Sequence, residues 1–384
     1  MKTLRVLSIF GTRPEAVKMA PLVRELKKRE EFESFVCVTA QHRQMLDQIL
    51  DLFGIVPDID LNLMQPDQSL AEIAAAIFTQ LDPVIADLNP DWILVQGDTT
   101  TVMAAALLAY YHHIRVGHVE AGLRTGDKWQ PFPEEINRRV AGVVADLHFA
   151  PTDWARSNLL REGVAQERIR VTGNPIIDAL NWVLSIPPTQ QVLSLFEQIG
   201  IPEPPGEGTP AVRLILLTAH RRENFGKPLE NICAAALRLV NHYHGQIKIV
   251  YPVHLNPNVQ ETAYRLLAAH PDIILTPPLD YLPLVNLMRR ATLVLTDSGG
   301  IQEEAPSLGV PVLVLREVTE RPEGIRAGTA RLVGTNADKI VAEAMHLLDD
   351  PQAHAAMAHS TNPYGDGKAA ERIVQAILDF QYGS

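Results

Sequence analysis

Two hydrophobic rhythms alternate along the chain. Short β-branched apolar runs predict strands at 4–10, 34–39, 92–96, 114–119, 147–150 and 169–172. Between them, amphipathic stretches such as EAVKMAPLVRELKKRE (15–30) and SLAEIAAAIFTQLDPVIADL (69–88) predict helices. The strand runs are apolar almost throughout rather than strictly alternating, as in strands covered on both faces. Strand–helix alternation of this kind predicts a parallel sheet with helices on both sides.

The rhythm breaks around residues 185–211. SIPPTQQ and GIPEPPGEGTP are rich in proline, glycine and polar residues and predict a loop and domain junction. Strand runs then resume at 213–219, 246–253, 273–276, 292–297, 310–315 and 330–334. The expected architecture is therefore α/β, with two doubly wound halves of similar size. A length of 384 residues fits two domains. The C-terminal AAERIVQAILDF predicts a helix with an apolar stripe at Ile373, Ala376, Ile377 and Phe380.

Charge narrows the function. With Lys+Arg 34 against Asp+Glu 45, the formal net charge is −11. That argues against a general nucleic-acid binder, and an anionic ligand would need basic residues gathered locally. The two cysteines, Cys37 in SFVCVTA and Cys233 in NICAAAL, leave no disulfide framework and no four-cysteine zinc site. Both read as buried small hydrophobes. The N-terminal apolar run is too short for a signal sequence, and no run approaches the roughly 18 residues of a membrane span. A cytoplasmic chain with no membrane partner is the expectation.

Doubly wound sheets bind ligands at the carboxyl ends of their strands, so the residues after each strand are the candidates. The first strand is followed by GTRPEAVKMAPL. Thr12 and Glu15 have capping-box spacing, with Pro14 in the first turn. Arg13 opposes the helix dipole, a cost that an anionic ligand would offset, and Lys18 follows it. Gly11 stands alone where a dinucleotide site needs G-x-G-x-x-G, so no NAD is expected. GEGTPA and GDGKAA match a related pattern in letters, but neither follows a strand. Asp98, after WILVQ, either caps the alanine-rich helix or is a carboxylate aimed into a cleft. Glu120 ends IRVGHV and has no helix to cap, which makes it a functional candidate. Glu134 and Glu135 open a helix, where negative charge is expected structurally. His112, His113 and His118 lack a paired metal-ligand spacing, so no metal is expected.

In the second half, RLILLTA ends in His220, Arg221 and Arg222, a cationic cluster suited to an anion. His254 lies just past the strand run at 246–253. TLVLTD runs into Ser298, Gly299 and Gly300, whose backbone N–H groups can cradle a phosphate. DSGG also occurs around serine-protease nucleophiles, but a strand-to-helix turn in an α/β chain is the wrong setting. Glu304, one turn on, suits ribose hydroxyls, and Arg316, Arg321 and Arg326 follow the strand run at 310–315. The residues alone reach a nucleotide-sugar enzyme, with a phosphate-type site in the second domain facing a carboxylate-lined edge of the first.

Taken in order, GTRPEAVKMAPL, TAQHRQML, GDTTT, GHVEAGLRT, PEEINRR, TGNPIIDAL, AHRRENFG, YPVHLNPNV, LTDSGGIQEEAPSLGVPVLVLR, TERPEGIRAGTARLVGT and NPYGDG span the chain. Together they closely resemble the bacterial non-hydrolysing UDP-N-acetylglucosamine 2-epimerases. The resemblance implies two Rossmann-like domains facing a central cleft, the arrangement of GT-B glycosyltransferases. It implies boundaries near 1–178 and 179–365, with a C-terminal helix (366–384) returning to the first domain. It implies interconversion of UDP-GlcNAc and UDP-ManNAc by anti elimination of UDP through a 2-acetamidoglucal. Neither NAD nor a metal would be required, and the chain would be a homodimer serving surface-polysaccharide synthesis.

By motif, the resemblance places Arg13, Lys18, Ser298, Gly299, Gly300, Glu304 and Arg321 on UDP. It makes Asp98, Glu120 and Glu134 the catalytic carboxylates and sets His220 near the diphosphate. Some members bind a second UDP-GlcNAc as activator, and Gln41, His42, Gln44, Glu134, Arg221 and His254 fall in the motifs implicated. The chain departs from responsive members at Asp67, where an arginine can stand and where a carboxylate would repel a diphosphate. Leu279 and Leu284 replace a Gln and a Phe of relatives near the uracil. A hydrolysing relative, a GT-B glycosyltransferase and a binding module are the alternatives. No acceptor-binding insertion is visible for transfer, and pure binding needs no carboxylate set.

Overall fold

The computed structural model describes residues 2–39, 43–63, 68–201 and 212–383. The chain divides into two compact units, one running to Asn181 and resuming at Tyr364, the other spanning Trp182–Pro363.

Among the described residues, the first unit holds a seven-stranded parallel sheet. Its strands are β1 (Leu4–Phe10), β2 (Phe32–Val38), β3 (Ile59–Asp60), β4 (Trp92–Gln96), β5 (Arg115–Val119), β6 (Leu147–Ala150) and β7 (Ile169–Val171). Their order is β3-β2-β1-β4-β5-β6-β7. The second unit holds six: β8 (Arg213–Thr218), β9 (Ile247–Pro252), β10 (Ile273–Thr276), β11 (Leu293–Thr296), β12 (Val312–Val314) and β13 (Ala330–Leu332). The order β10-β9-β8-β11-β12-β13 repeats the first sheet's winding. Each is the doubly wound Rossmann arrangement, in which strand order reverses between the first and fourth strands and leaves a crevice there.

The predicted strand runs all form strands, and β3 is the addition. It has two residues and pairs with β2 at Cys37↔Ile59 and Val38↔Asp60, too short for a periodicity to register. The stretch 185–211 also differs from a plain loop. Helix Gln190–Gln198 forms inside it, with the Thr189 hydroxyl accepting from Val192 N, and buries Val192, Leu195 and Phe196. Its turn is set by the cap and apolar spacing, which the flanking prolines obscured. The first unit boundary falls inside helix Pro175–Leu184 rather than in the proline-rich segment. Cys37 and Cys233 are both fully buried, and burial pushes each thiol up to about 12.

The C-terminal helix Ala369–Tyr382 packs on the first unit through Ile373, Ala376 and Ile377. Phe380 meets Trp92 edge-on, ring centroids 5.6 Å apart. The N-terminus of this helix is capped from elsewhere: the Asp178 carboxylate accepts from Ala369 N (3.1 Å) and Ala370 N (2.9 Å). Satisfying the orphan N–H groups in this way anchors a returning segment. Among the described residues, no helix is long and apolar enough to cross a membrane.

Candidate active site

The first unit places its polar residues at the carboxyl ends of β1, β4 and β5. After β1, Thr12 and Glu15 form the capping box that their spacing predicts. Glu15 accepts from Gly11 N (2.9 Å) and Thr12 N (2.7 Å), and is further bonded by the Thr99 hydroxyl. Burial nevertheless pushes its carboxyl up. Arg13 is the first residue of helix Arg13–Lys28.

Glu120 follows β5 in the left-handed region, at φ 62°. A non-glycine residue there is uncommon, and such strain concentrates at functional sites. Its carboxylate is buried and accepts from Lys18 Nζ at 2.6 and 2.7 Å. Gln96 Nε2 bonds one oxygen, and Asn174 Nδ2 reaches the other at 3.1 Å. Three elements distant in sequence thus converge on one carboxylate. Lys18, expected on UDP, is here the counter-ion of Glu120. A buried carboxylate needs such a cation, and Lys18 lies in the helix that packs beside β1 and β4.

Asp98 is not the helix cap. Thr99 caps helix Thr100–Tyr111, its hydroxyl accepting from Val102 N at 3.3 Å. The Asp98 carboxylate instead accepts from Arg138, and its carbonyl accepts from Asn137 Nδ2 at 3.0 Å. Arg138 is in turn held by Glu135 (3.4 Å), which is fully buried and also takes Arg139 (3.1 Å) and the Thr125 and Gly126 amides. Glu134, half-buried, is the first residue of helix Glu134–Val144. Of the two adjacent carboxylates, Glu135 holds the loop and Arg138, and Glu134 stands at the helix N-terminus. His118 donates from Nε2 to Gly97 O at 2.7 Å, and burial pushes its imidazole down to about 4. It is a neutral core residue. No group of three His, Cys, Asp or Glu side chains arranged to hold a metal ion occurs among the described residues.

In the second unit, the Thr218 and Thr296 hydroxyls bond at 2.6 Å across the switch point between β8 and β11. Ser298 precedes helix Gly299–Ser307 and supplies no side-chain cap to the first-turn N–H groups. A Cβ on Gly299 would displace the Arg321 guanidinium, which sits as a cation against the helix N-terminus. Dipole and guanidinium together favour an anion. Arg321 is oriented by Glu303 and by Glu320 (2.6 Å). Glu304, also buried, accepts from Tyr281 Oη at 2.6 Å.

Asp297, fully buried, binds the turn after β8. Its Oδ2 accepts from His220 N (2.8 Å), Arg221 N (2.8 Å) and Asn224 Nδ2 (2.9 Å). His220 Nδ1 lies 3.6 Å from the other oxygen. The His220 and His254 rings stack, centroids 5.2 Å apart and 9° from parallel. Arg221 approaches Glu320 at 3.6 Å.

Ser298, Gly299, Gly300, Glu304 and Arg321 thus share one turn and its surroundings, with His220 tied to the same strand end through Asp297. Gln41, His42 and Asp67, with the side chain of Gln44, lie outside the described residues. Leu279 and Leu284 are both half-buried. The residues that sequence reasoning passed over are Gln96, Arg138, Asn174, Asp297 and Glu320. Asn174 follows β7, so the strand-end rule that selected Asp98 and Glu120 applies to it too. Arg138 and Glu320 carry no such signal, because their partners are fixed only by the fold.

Glu320 sits among three guanidinium groups. Burial pushes its carboxyl up, but Arg321, Arg316 and Arg221 outweigh this and hold it well below the usual 4.5. A depressed folded pKa gives stability that is present above about pH 4.5 and lost as pH falls. Glu320→Gln should therefore destabilise the protein at pH 7 by about 3 kcal/mol, the scale of a broken buried pair. The difference from wild type, read by urea denaturation, should shrink as pH falls below 4.5. A gap independent of pH would show that Glu320 does not act as a buried anion.

A sequence profile of the UDP-N-acetylglucosamine 2-epimerase family matches residues 24–378. The UDP-N-acetylglucosamine 2-epimerase of Salmonella typhimurium is 55% identical over 98% of this chain and 99% of its own length. That of Bacillus subtilis is 52% identical over 100% and 97%. The crystal structure of the Neisseria meningitidis UDP-GlcNAc 2-epimerase bound to UDP-GlcNAc is 47% identical, with TM-score 0.90, covering 98% of this chain and 100% of that one. With matches of this length and identity, the chain belongs to the UDP-N-acetylglucosamine 2-epimerase family.

Proposed function

We propose that this chain interconverts UDP-N-acetylglucosamine and UDP-N-acetylmannosamine by elimination and re-addition of UDP. The observation that supports this most is the pair of acids at adjacent strand ends. The β4–β5 register pairs Gln96 with Val119, which puts Asp98 and Glu120 just past the carboxyl ends of neighbouring strands. Each has its own cation, Arg138 for Asp98 and Lys18 for Glu120.

The chemistry explains why such a set is useful. The C2 proton is not adjacent to a carbonyl, so direct deprotonation is unfavourable. Breaking the C1–O bond as the C2 proton leaves gives UDP and 2-acetamidoglucal. Re-addition of UDP with protonation at the opposite face inverts C2. Removal and return of that proton fall to Asp98, Glu120 and Glu134, each such group contributing about 10²–10⁴-fold. The diphosphate leaving group falls to the Ser298–Gly300 turn, Arg321, Arg13 and His220, whose donors would stabilise its developing charge. Glu304 suits the ribose hydroxyls. The route involves no net oxidation and needs neither a nicotinamide nor a metal. The family resemblance extends the proposal to a cytoplasmic homodimer that supplies N-acetylmannosamine units for bacterial surface polysaccharides.

Incubation with UDP-N-acetylglucosamine alone in D2O, followed by NMR, tests this. The expected outcome is a reversible mixture of both epimers with deuterium at C2. Free N-acetylmannosamine as main product, or no turnover without an acceptor, would contradict it. In the same assay Asp98→Asn should lose at least about 100-fold in kcat with UDP affinity nearly unchanged. A fully active variant removes Asp98 from the mechanism.

A further inference from the structure

The chain re-enters the first unit at Tyr364, immediately after the second unit boundary, and docks on the residue that holds Glu120. Tyr364 O accepts from Asn174 N at 2.7 Å, a short backbone bond between segments 190 positions apart. The backbones approach closely here. A Cβ on Gly365 would lie 3.1 Å from Gly173 Cα, and one on Gly173 would lie 3.2 Å from Gly365 Cα. Gly365 also adopts φ 123°, which other residues rarely take. Further along, Arg372 donates to Thr172 O at 3.1 Å and is itself gripped by Asp366 through two 2.8 Å bonds. GDGKAA, whose glycines bind no cofactor in the sequence reading, is thus the segment that fits against Thr172–Asn174.

Asn174 is buried and its amide has one orientation. Oδ1 accepts from Ile176 N at 3.3 Å, which turns Nδ2 toward Glu120 Oε1 at 3.1 Å. The contact therefore runs from the returning backbone, through Asn174, to the carboxylate. We propose that the returning segment, through Asn174, is a positioning device for Glu120: Gly365 and the Asp366–Arg372 pair set the place of Asn174, and Asn174 sets one oxygen of the carboxylate. Asn174 and Gly365 are positioning residues and touch no reacting atom. The proposal rests on the epimerase reading of Glu120 given above.

A carboxylate displaced from its productive geometry loses turnover rather than UDP binding. Asn174→Ala should lower kcat about 10–100-fold, as expected for one lost hydrogen bond to a charged group. Gly365→Ala should lower kcat about tenfold through the same displacement. The affinity for UDP, by calorimetry, should stay within about twofold in both. The decisive comparison is the double variant, because residues acting through one contact are not additive. Asn174→Ala with Gly365→Ala should be no slower than Asn174→Ala alone.

Should Gly365→Ala fail to fold, the exposed Asp366→Asn replaces it. That change should slow the wild-type background about two- to fivefold and leave Asn174→Ala unaffected. Several results would overturn the proposal: an Asn174→Ala enzyme at the wild-type rate, effects that multiply in the double variant, or UDP affinity falling in step with kcat. A wild-type chain that forms no UDP-N-acetylmannosamine would instead overturn the epimerase reading, and the positioning role with it.

Discussion

Lys18 and Glu120 meet 2.6 Å apart at the end of the first sheet, each side chain under a tenth exposed. Removing two charges from water costs more than their attraction returns unless further hydrogen bonds complete the site. Here Gln96 and Asn174 complete it. The ion pair joins the first helix to the end of β5, and Asn174 extends the bond to the segment after β7. Replacing the set with well-packed apolar residues would often be neutral for stability, so its presence is better explained by the chemistry of the carboxylate. The same constraint recurs elsewhere. Arg138 lies between Asp98 and Glu135, and Arg321 between Glu303 and Glu320. Glu120, Asp98 and Arg321 are each oriented by a buried partner of opposite sign.

This matching also accounts for an acidic chain that handles an anionic substrate. The net charge of −11 is a property of the whole sequence, but the groups a diphosphate would meet are chosen one turn at a time. At the β11 end they are helix N–H groups, a glycine without a Cβ, and a guanidinium held in place by two carboxylates. Preorganised donors of this kind act on developing charge without reorganising. Both units use the same winding, and each places candidate residues at the carboxyl ends of the strands at and next to the switch point.

Much of this was legible in the sequence because it is local. Strand runs, the Thr12–Glu15 capping box and the Ser298–Gly300 turn each depend on residues within a few positions. Glu120 stood out because no local role explained it. What was not legible depends on distance along the chain. Lys18 and Glu120 are 102 positions apart, and Asn174 meets Tyr364 across 190. No spacing rule connects such pairs, so the ion pair of Lys18 with Glu120 carries no sequence signal. Asp98 remained ambiguous until Thr99 proved to be the cap. Helix Gln190–Gln198 was hidden by the prolines on either side of it, and β3 by its two-residue length.

The central claim is that the C1–O bond breaks and re-forms during inversion at C2. Positional isotope exchange tests this most directly. UDP-N-acetylglucosamine labelled with oxygen-18 in the bridge between C1 and the β-phosphorus is incubated with the enzyme and followed by phosphorus NMR. If UDP departs, its β-phosphoryl oxygens become equivalent. The label should then appear in non-bridging positions of recovered substrate on the timescale of epimerisation. Epimerisation with the label retained in the bridge would contradict the account, because C2 would then have inverted without departure of UDP.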